Sequence, residues 1–209
     1  NNKSSNIDKE KISIFFKQNL ENFNFNNTKI SSDNNFSFKI NKKLKINDFS
    51  LKSKVNLDKL NYKIDTAKIH NYIPNYNGFI DFEDHEIEVS IKKKKLSIKG
   101  AGSYLIDTHL EKINYDIINK DGNLKFQSKI NINKNPLYLG FLNYKKKENE
   151  NSTLFIDGEY QKDKTLLFKK ISLNDSKNIF LIDNLSLSKD LKINYFKIID
   201  LNFINENNN

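Results

Sequence analysis

The chain has 209 residues, a formal net charge of +9 and a pI of about 9.3. The absence of cysteine excludes disulfide frameworks and cysteine-based zinc sites, and no run approaches the roughly 18 apolar residues of a membrane-spanning helix. All 35 basic residues are lysine; base reading leans on the planar fork of arginine, and lysine, asparagine, isoleucine and phenylalanine share AT-rich codons, so the charge implies no nucleic-acid partner.

No methionine is present, even at position 1. Asn1 therefore reads as a cut or processed end, and the Asn-rich stretch 205–209 as a truncated tail. The expectation is a segment of a larger protein, in which any export signal or anchor lies elsewhere. Residues 1–34 read as one short helix and an Asn-rich linker. Ile12, Phe15, Phe16, Leu20 and Phe23 recur near helical spacing, and Ser5 with Asp8 suits a capping box. Asn24 to Asn35 reads as loop.

Residues 35–204 read as sheet. Phe36, Phe38 and Ile40 alternate with polar residues, then Phe49, Leu51, Val55 and Leu57 alternate in the opposite parity. The switch at Asn47–Asp48 requires a turn or a β-bulge, because a one-residue slip turns every side chain over. His70 to Asn77 reads as a connecting loop. Expected strands follow at Phe79–Phe82, Glu86–Lys92, Lys95–Lys99, Lys112–Ile118, Asn123–Ile132, Leu137–Leu142, Thr153–Tyr160, Leu166–Leu173, Ile179–Leu187 and Lys192–Phe203. Asp121–Gly122 is a two-residue hairpin signal. Links this short join antiparallel neighbours, since a parallel pair needs a crossover of about a dozen residues or more.

Alternation within the strands leaves one face apolar and the other solvated. Leu124, Phe126, Ile130 and Ile132 oppose Lys125, Gln127, Lys129 and Asn131. An apolar face must bury against something, and the sequence offers almost no helix to cover it. A second sheet, a sheet curled on itself or a bound apolar ligand remain.

The stretch Leu96 to Leu187 resembles the AsmA-like repeat proteins, the relatives of YhdP and TamB. The resemblance rests on L-S-I-K-G-A-G-S-Y from Leu96, I-N-Y-D-I-I from Ile113, L-K-F-Q-S-K-I-N-I from Leu124, L-G-F-L-N-Y-K-K from Leu139 and L-F-I-D-G-E-Y from Leu154. Upstream, N-D-F-S-L-K-S-K-V-N-L from Asn47 also looks like one of these strands. The resemblance covers roughly three quarters of the chain.

It implies an all-β, mostly antiparallel meander, its long twisted sheet curled into an open hydrophobic groove. It further implies transport of phospholipids between inner and outer membranes by a periplasmic, inner-membrane-anchored envelope protein, with acyl chains as ligand. The membrane would be reached through parts of the parent chain outside this segment. No catalytic residue, metal or cofactor comes with it. Expected groove-lining residues are Phe126, Ile130, Ile132, Leu137, Leu139, Phe141, Ile156, Leu173, Ile182, Leu185 and Leu187. The alternative is a structural or adhesive β-sandwich or solenoid module with a closed core and no cargo.

Other constellations read as structural. His70, His85 and His109 are far apart and suit surface or loop positions. Asp81, Glu83, Asp84, Glu86 and Glu88 lack the loop spacing and turn glycine of a calcium site; they suit a solvated face pairing with Lys92–Lys95. Lys92–Lys95 and Lys145–Lys147 read as lysine-rich turns. Gly100 and Gly102 read as a strand kink or bulge, lacking the context of a phosphate-binding turn.

Overall fold

The computed structural model describes residues 21–25, 28–65, 70–73, 76–140, 143–161, 165–175 and 178–202, and residues 2–6 as backbone. The fold is all-β. Among the described residues thirteen strands form one antiparallel sheet that does not close. Its order along the main path is β1 (Asn2–Asn6), β3 (Lys29–Ile40), β4 (Ile46–Lys63), β5 (Phe79–Lys92), β6 (Lys95–Ile106), β7 (His109–Lys120), β8 (Asn123–Asn131), β11 (Ser152–Tyr160), β12 (Leu166–Asp175), β13 (Ile179–Leu187) and β14 (Ile193–Tyr195). β2 (Phe23–Asn24) pairs with β4, and β15 (Ile198–Asn202) pairs with β13. β9 (Leu137–Leu139) and β10 (Tyr144–Lys146) form a separate hairpin.

Cross-strand partners share a face, so the register sorts the side chains. Ile113, Ile130, Leu154, Leu173 and Phe180 form one row across five strands. Ser128, Ile156, Ile171 and Ile182 form the next. The opposite face carries Lys54, Glu88 and Lys99 in one row and Asn114, Lys129 and Thr153's neighbour Phe155 in another. One apolar and one polar face is what period-two alternation produces.

Bulges keep the apolar face apolar when the sequence changes parity. Asp48 is left-handed, and β4 gains one residue there against β3, at the expected switch. Asp84 does the same for β5, restoring Phe82 and Ile80 to the face of Ile87 and Val89. β12 gains a residue against β11 between Phe168 and Lys170, and left-handed Asn184 on β13 lies opposite that step, so that Leu185 and Phe168 share a face. Asp and Asn tolerate the left-handed region better than other non-glycine residues.

Several expectations need correction. No helix occurs among the described residues; Ile12, Phe15, Phe16 and Leu20 lie outside them, while Ser5 belongs to β1 and Phe23 to β2. The Asn-rich stretch is not all loop, because Lys29–Ile40 is continuous strand. Pairing along β4 supplies what asparagine's weak strand propensity does not. The expected strands 79–82 and 86–92 are one strand bent by its bulge, and 192–203 divides into β14 and β15.

Gly100 and Gly102 make no kink: β6 pairs with β7 without interruption from Lys95 to Ile106. Their missing side chains make room for neighbouring rings. A β-carbon on Gly100 would collide with the ring of Tyr115, and one on Gly102 with the ring of His85. Among the described residues the only sheet besides the main one is the small β9–β10 hairpin, which lies against part of the apolar face.

Candidate functional site

Two elements cover one end of the apolar face. Ile73 and Tyr76, in the connection between β4 and β5, pack against Ile80, Phe82, Tyr104 and Ile106. The β9–β10 hairpin lays Leu137, Leu139 and Tyr144 against Ile132, Leu173 and Phe180. The covers are joined by the Tyr138 amide, which donates to the Tyr72 carbonyl at 2.8 Å.

Between covers and sheet lies a partly open cavity of about 530 Å³ that presents no polar surface. Its floor is Ile80 and Phe82 from β5, Tyr104 and Ile106 from β6, and Ile113 and Ile130 from β7 and β8. The wall continues through Leu154, Ile171, Leu173 and Phe180. Tyr72, Ile73, Ile132, Asn135, Leu137 and Leu139 complete it from the covering side.

Of the expected lining residues, Ile130, Ile132, Leu137, Leu139 and Leu173 line this cavity. Ile182 packs against the same cluster. Phe126, Ile156, Leu185 and Leu187 share the apolar face but lie outside the cavity, half-buried. Phe141 lies outside the described residues. The floor residues Ile80, Phe82, Tyr104, Ile106 and Ile113 were not anticipated, nor were Leu154, Ile171 and Phe180 of the wall. Carrying the parity of Leu96 and Ile98 through the glycine pair to Tyr104 and Ile106 would have found two of them. Tyr72 and Ile73 had no sequence signal, because their loop is placed by tertiary packing.

Polar groups hold the cover in place. Lys146, placed among solvated turn residues by sequence, is 1% exposed. Its Nζ donates to the carbonyls of Asn133 at 3.0 Å, Asn135 at 2.8 Å and Lys147 at 2.8 Å. These satisfy all three ammonium protons, and burial pulls its pKa below the usual lysine value. Tyr144 donates to Asp175 Oδ2 at 2.5 Å, tying the hairpin to the end of β12. The backbone amide of Lys134 donates to the buried carboxylate of Glu111. Burial pushes the hydroxyls of Tyr104 and Tyr144 well above the usual tyrosine range.

His85 also departs from expectation, being buried rather than on a surface or loop. Its Nε2 lies 2.9 Å from the Ser103 carbonyl oxygen, so Nε2 must carry the proton. Nδ1 then accepts from the Tyr115 hydroxyl at 3.1 Å. Burial lowers its pKa, the neutral ring being the form that fits. His85 touches the ring of Phe82 edge-on, at 5.6 Å between centroids, and thus stands at the border of the cavity.

Asp81 and Glu83 of the acidic cluster pair with Lys59 of β4 rather than with Lys92–Lys95. Lys59 Nζ is 2.8 Å from Asp81 and 3.2 Å from Glu83. Among the described residues no three histidines or carboxylates gather to hold a metal, and no helix is long and apolar enough to cross a membrane. The arrangement can exclude water and enclose apolar matter. Neither a family model, nor a curated protein, nor a solved structure matches the chain.

Proposed function

We propose that the chain is a non-enzymatic lipid-binding segment whose apolar face takes acyl chains. On the resemblance to AsmA-like proteins, it forms part of a hydrophobic groove that moves phospholipids between inner and outer membranes. It works in the periplasm, the parent chain supplying the membrane anchor.

The observation that carries this reading is the wholly apolar cavity of about 530 Å³. Close-packed interiors leave few voids larger than a water molecule. Ligand pockets run from roughly 300 to 1,000 Å³, and apolar cavities stay dry and accept apolar guests. Burying a methylene contributes about 0.8 kcal/mol, so a chain of about 16 carbons has up to about 12 kcal/mol available. Beyond the cavity the apolar face continues through Ile156, Phe126 and Leu185. An apolar stripe of even character favours sliding over one tight resting place.

The second reading, a closed structural or adhesive module, draws on the covers themselves. Tyr76, Tyr144 and Leu173 are buried by the protein's own packing. The two readings separate on one measurement. A photoreactive fatty acid is crosslinked to the folded chain and labelled residues are mapped by mass spectrometry. Labelling at Ile130, Leu139 or Leu173 supports the lipid reading. No labelling, or labelling confined to outward positions such as Lys125 and Lys129, leaves the closed module.

A further inference from the structure

Strand pairing leaves one hairpin standing beyond the sheet. β4 meets β5 only from Ser50, opposite Lys92, onward, and β1 reaches along β3 only as far as Ser32. Residues 37–49 therefore project as a two-stranded arm. Such a ribbon has little stability of its own, and this one is unusually greasy. Phe38, Ile40, Ile46 and Phe49 are all exposed, and Leu44 at the tip is 85% exposed.

The arm continues the sheet's apolar face. Phe36 pairs with Leu51 and Ile40 with Ile46, so Phe36, Phe38, Ile40 and Ile46 lie on the face that carries Val55 and Leu57. Lysines surround this row. The arm holds Lys39, Lys42, Lys43 and Lys45 against the single acid Asp48. The neighbouring β5–β6 turn adds exposed Lys92, Lys93, Lys94 and Lys95.

Backbone conformation marks the same end of the sheet. Among the described residues, every non-glycine residue with positive φ is Asp or Asn except Leu44, Lys93, Lys94 and Leu191. The hairpins β3–β4, β5–β6 and β13–β14 all turn at one end, since each first strand runs the same way. All four exceptions sit in those turns, where glycine or asparagine would avoid the strain. Apolar and cationic side chains are thus held at the apexes against local preference.

We propose that the 37–49 arm is a membrane-surface anchor. It lays Phe38, Ile40, Ile46 and Leu44 into the headgroup–acyl boundary of an anionic bilayer, with its lysines on lipid phosphates. Interleaved aromatics, aliphatics and lysines suit that boundary. A nucleic acid would leave the apolar row unused, and the lysines oppose edge pairing with a second copy. The anchor lies at the opposite end of the strands from the cavity, so it stands or falls independently of acyl binding there.

The test is flotation of the full chain with phosphatidylcholine vesicles, with and without phosphatidylglycerol. Binding is expected only with phosphatidylglycerol and weakens with salt. Each lysine near an anionic surface contributes about fivefold, so the K42Q/K43Q/K45Q variant should bind on the order of a hundredfold more weakly. The L44N/I40S variant should lose at least about tenfold. These residues are exposed and Asn suits the left-handed position, so thermal unfolding should not change. K52Q/K54Q/K125Q, altered on the polar face, serves as control. Unchanged binding by both arm variants overturns the proposal. So does an equal loss in the control, an arm-dependent dimer that binds no vesicle, or tighter binding to single-stranded DNA than to vesicles.

Discussion

The ring of His85 fills the space that a side chain on Gly102 would need, from the adjacent strand. Both ring nitrogens are engaged, Nε2 with Ser103 and Nδ1 with Tyr115, so the ring cannot swing aside without losing hydrogen bonds. Gly102→Ala should therefore destabilise the fold by about 1–3 kcal/mol, the usual cost of overpacking. Urea unfolding midpoints measure it. In a His85→Ala background the same substitution should cost less, since contacting residues couple. An identical cost in both backgrounds would refute the clash.

His85 also sets a pH dependence. Burial lowers its folded pKa below the ordinary 6.5. The unfolded chain takes up a proton near that value while the folded ring still refuses one. Within that window the unfolded state binds more protons, so stability is full above about pH 6.5 and falls as the pH drops. Thermal unfolding across mildly acidic pH should show the decline. His85→Gln, which titrates nothing, should flatten that part of the profile; an unaltered slope would assign it to other groups.

At the alkaline end the sign reverses. Burial raises the pKa of Tyr104, Tyr115 and Tyr144 above the ordinary 10.0. The unfolded chain surrenders these protons first, so their contribution is intact below about pH 10 and is lost as pH rises beyond it. Tyrosinate absorbance should therefore contain a component that appears together with the loss of β-sheet circular dichroism. Complete tyrosine ionisation with the sheet intact would contradict the burial of these rings.

The sheet was legible because alternation survives a lysine- and asparagine-rich composition. The switch at Asp48 and the turn at Asp121–Gly122 were visible as breaks in that rhythm. What stayed hidden depended on register. Gly100 and Gly102 look like strand breaks until β5 and β7 bring His85 and Tyr115 against them. Lys146 looks solvated in a run of three lysines, and only tertiary structure brings the carbonyls of Asn133 and Asn135 to it. Ile130, Ile132, Leu137, Leu139 and Leu173, all on expected strands, lie at the cavity. On β6 the glycine pair hides the alternation that reaches Tyr104 and Ile106, and on β5 Ile80 and Phe82 join the same floor only through the bulge at Asp84.

Lys146 is where the cover can be loosened. Lys146→Met keeps the apolar stem but strands the carbonyls of Asn133 and Asn135, at a cost of roughly 1–3 kcal/mol. Hydrogen exchange should rise first in the β9–β10 hairpin, and only later in β6 and β7. Uniform acceleration across the sheet would show that the hairpin is integral to global stability rather than a cover.

Filling the cavity separates ligand binding from folding. Ile113 stands on the floor, paired with Ile130 and opposite Gly102. Ile113→Phe directs added volume into empty space, so stability should hold or rise by about 0.5–2 kcal/mol, as cavity filling commonly does. The same atoms exclude part of a bound chain. Losing two or three buried methylenes at about 0.8 kcal/mol each weakens binding by roughly tenfold or more. Fluorescent fatty-acid titration and urea unfolding should therefore move apart. A variant that binds acyl probe as tightly as the unmodified chain places the ligand elsewhere on the apolar face, whereas joint loss of stability and binding means that the void is smaller than 530 Å³ in solution.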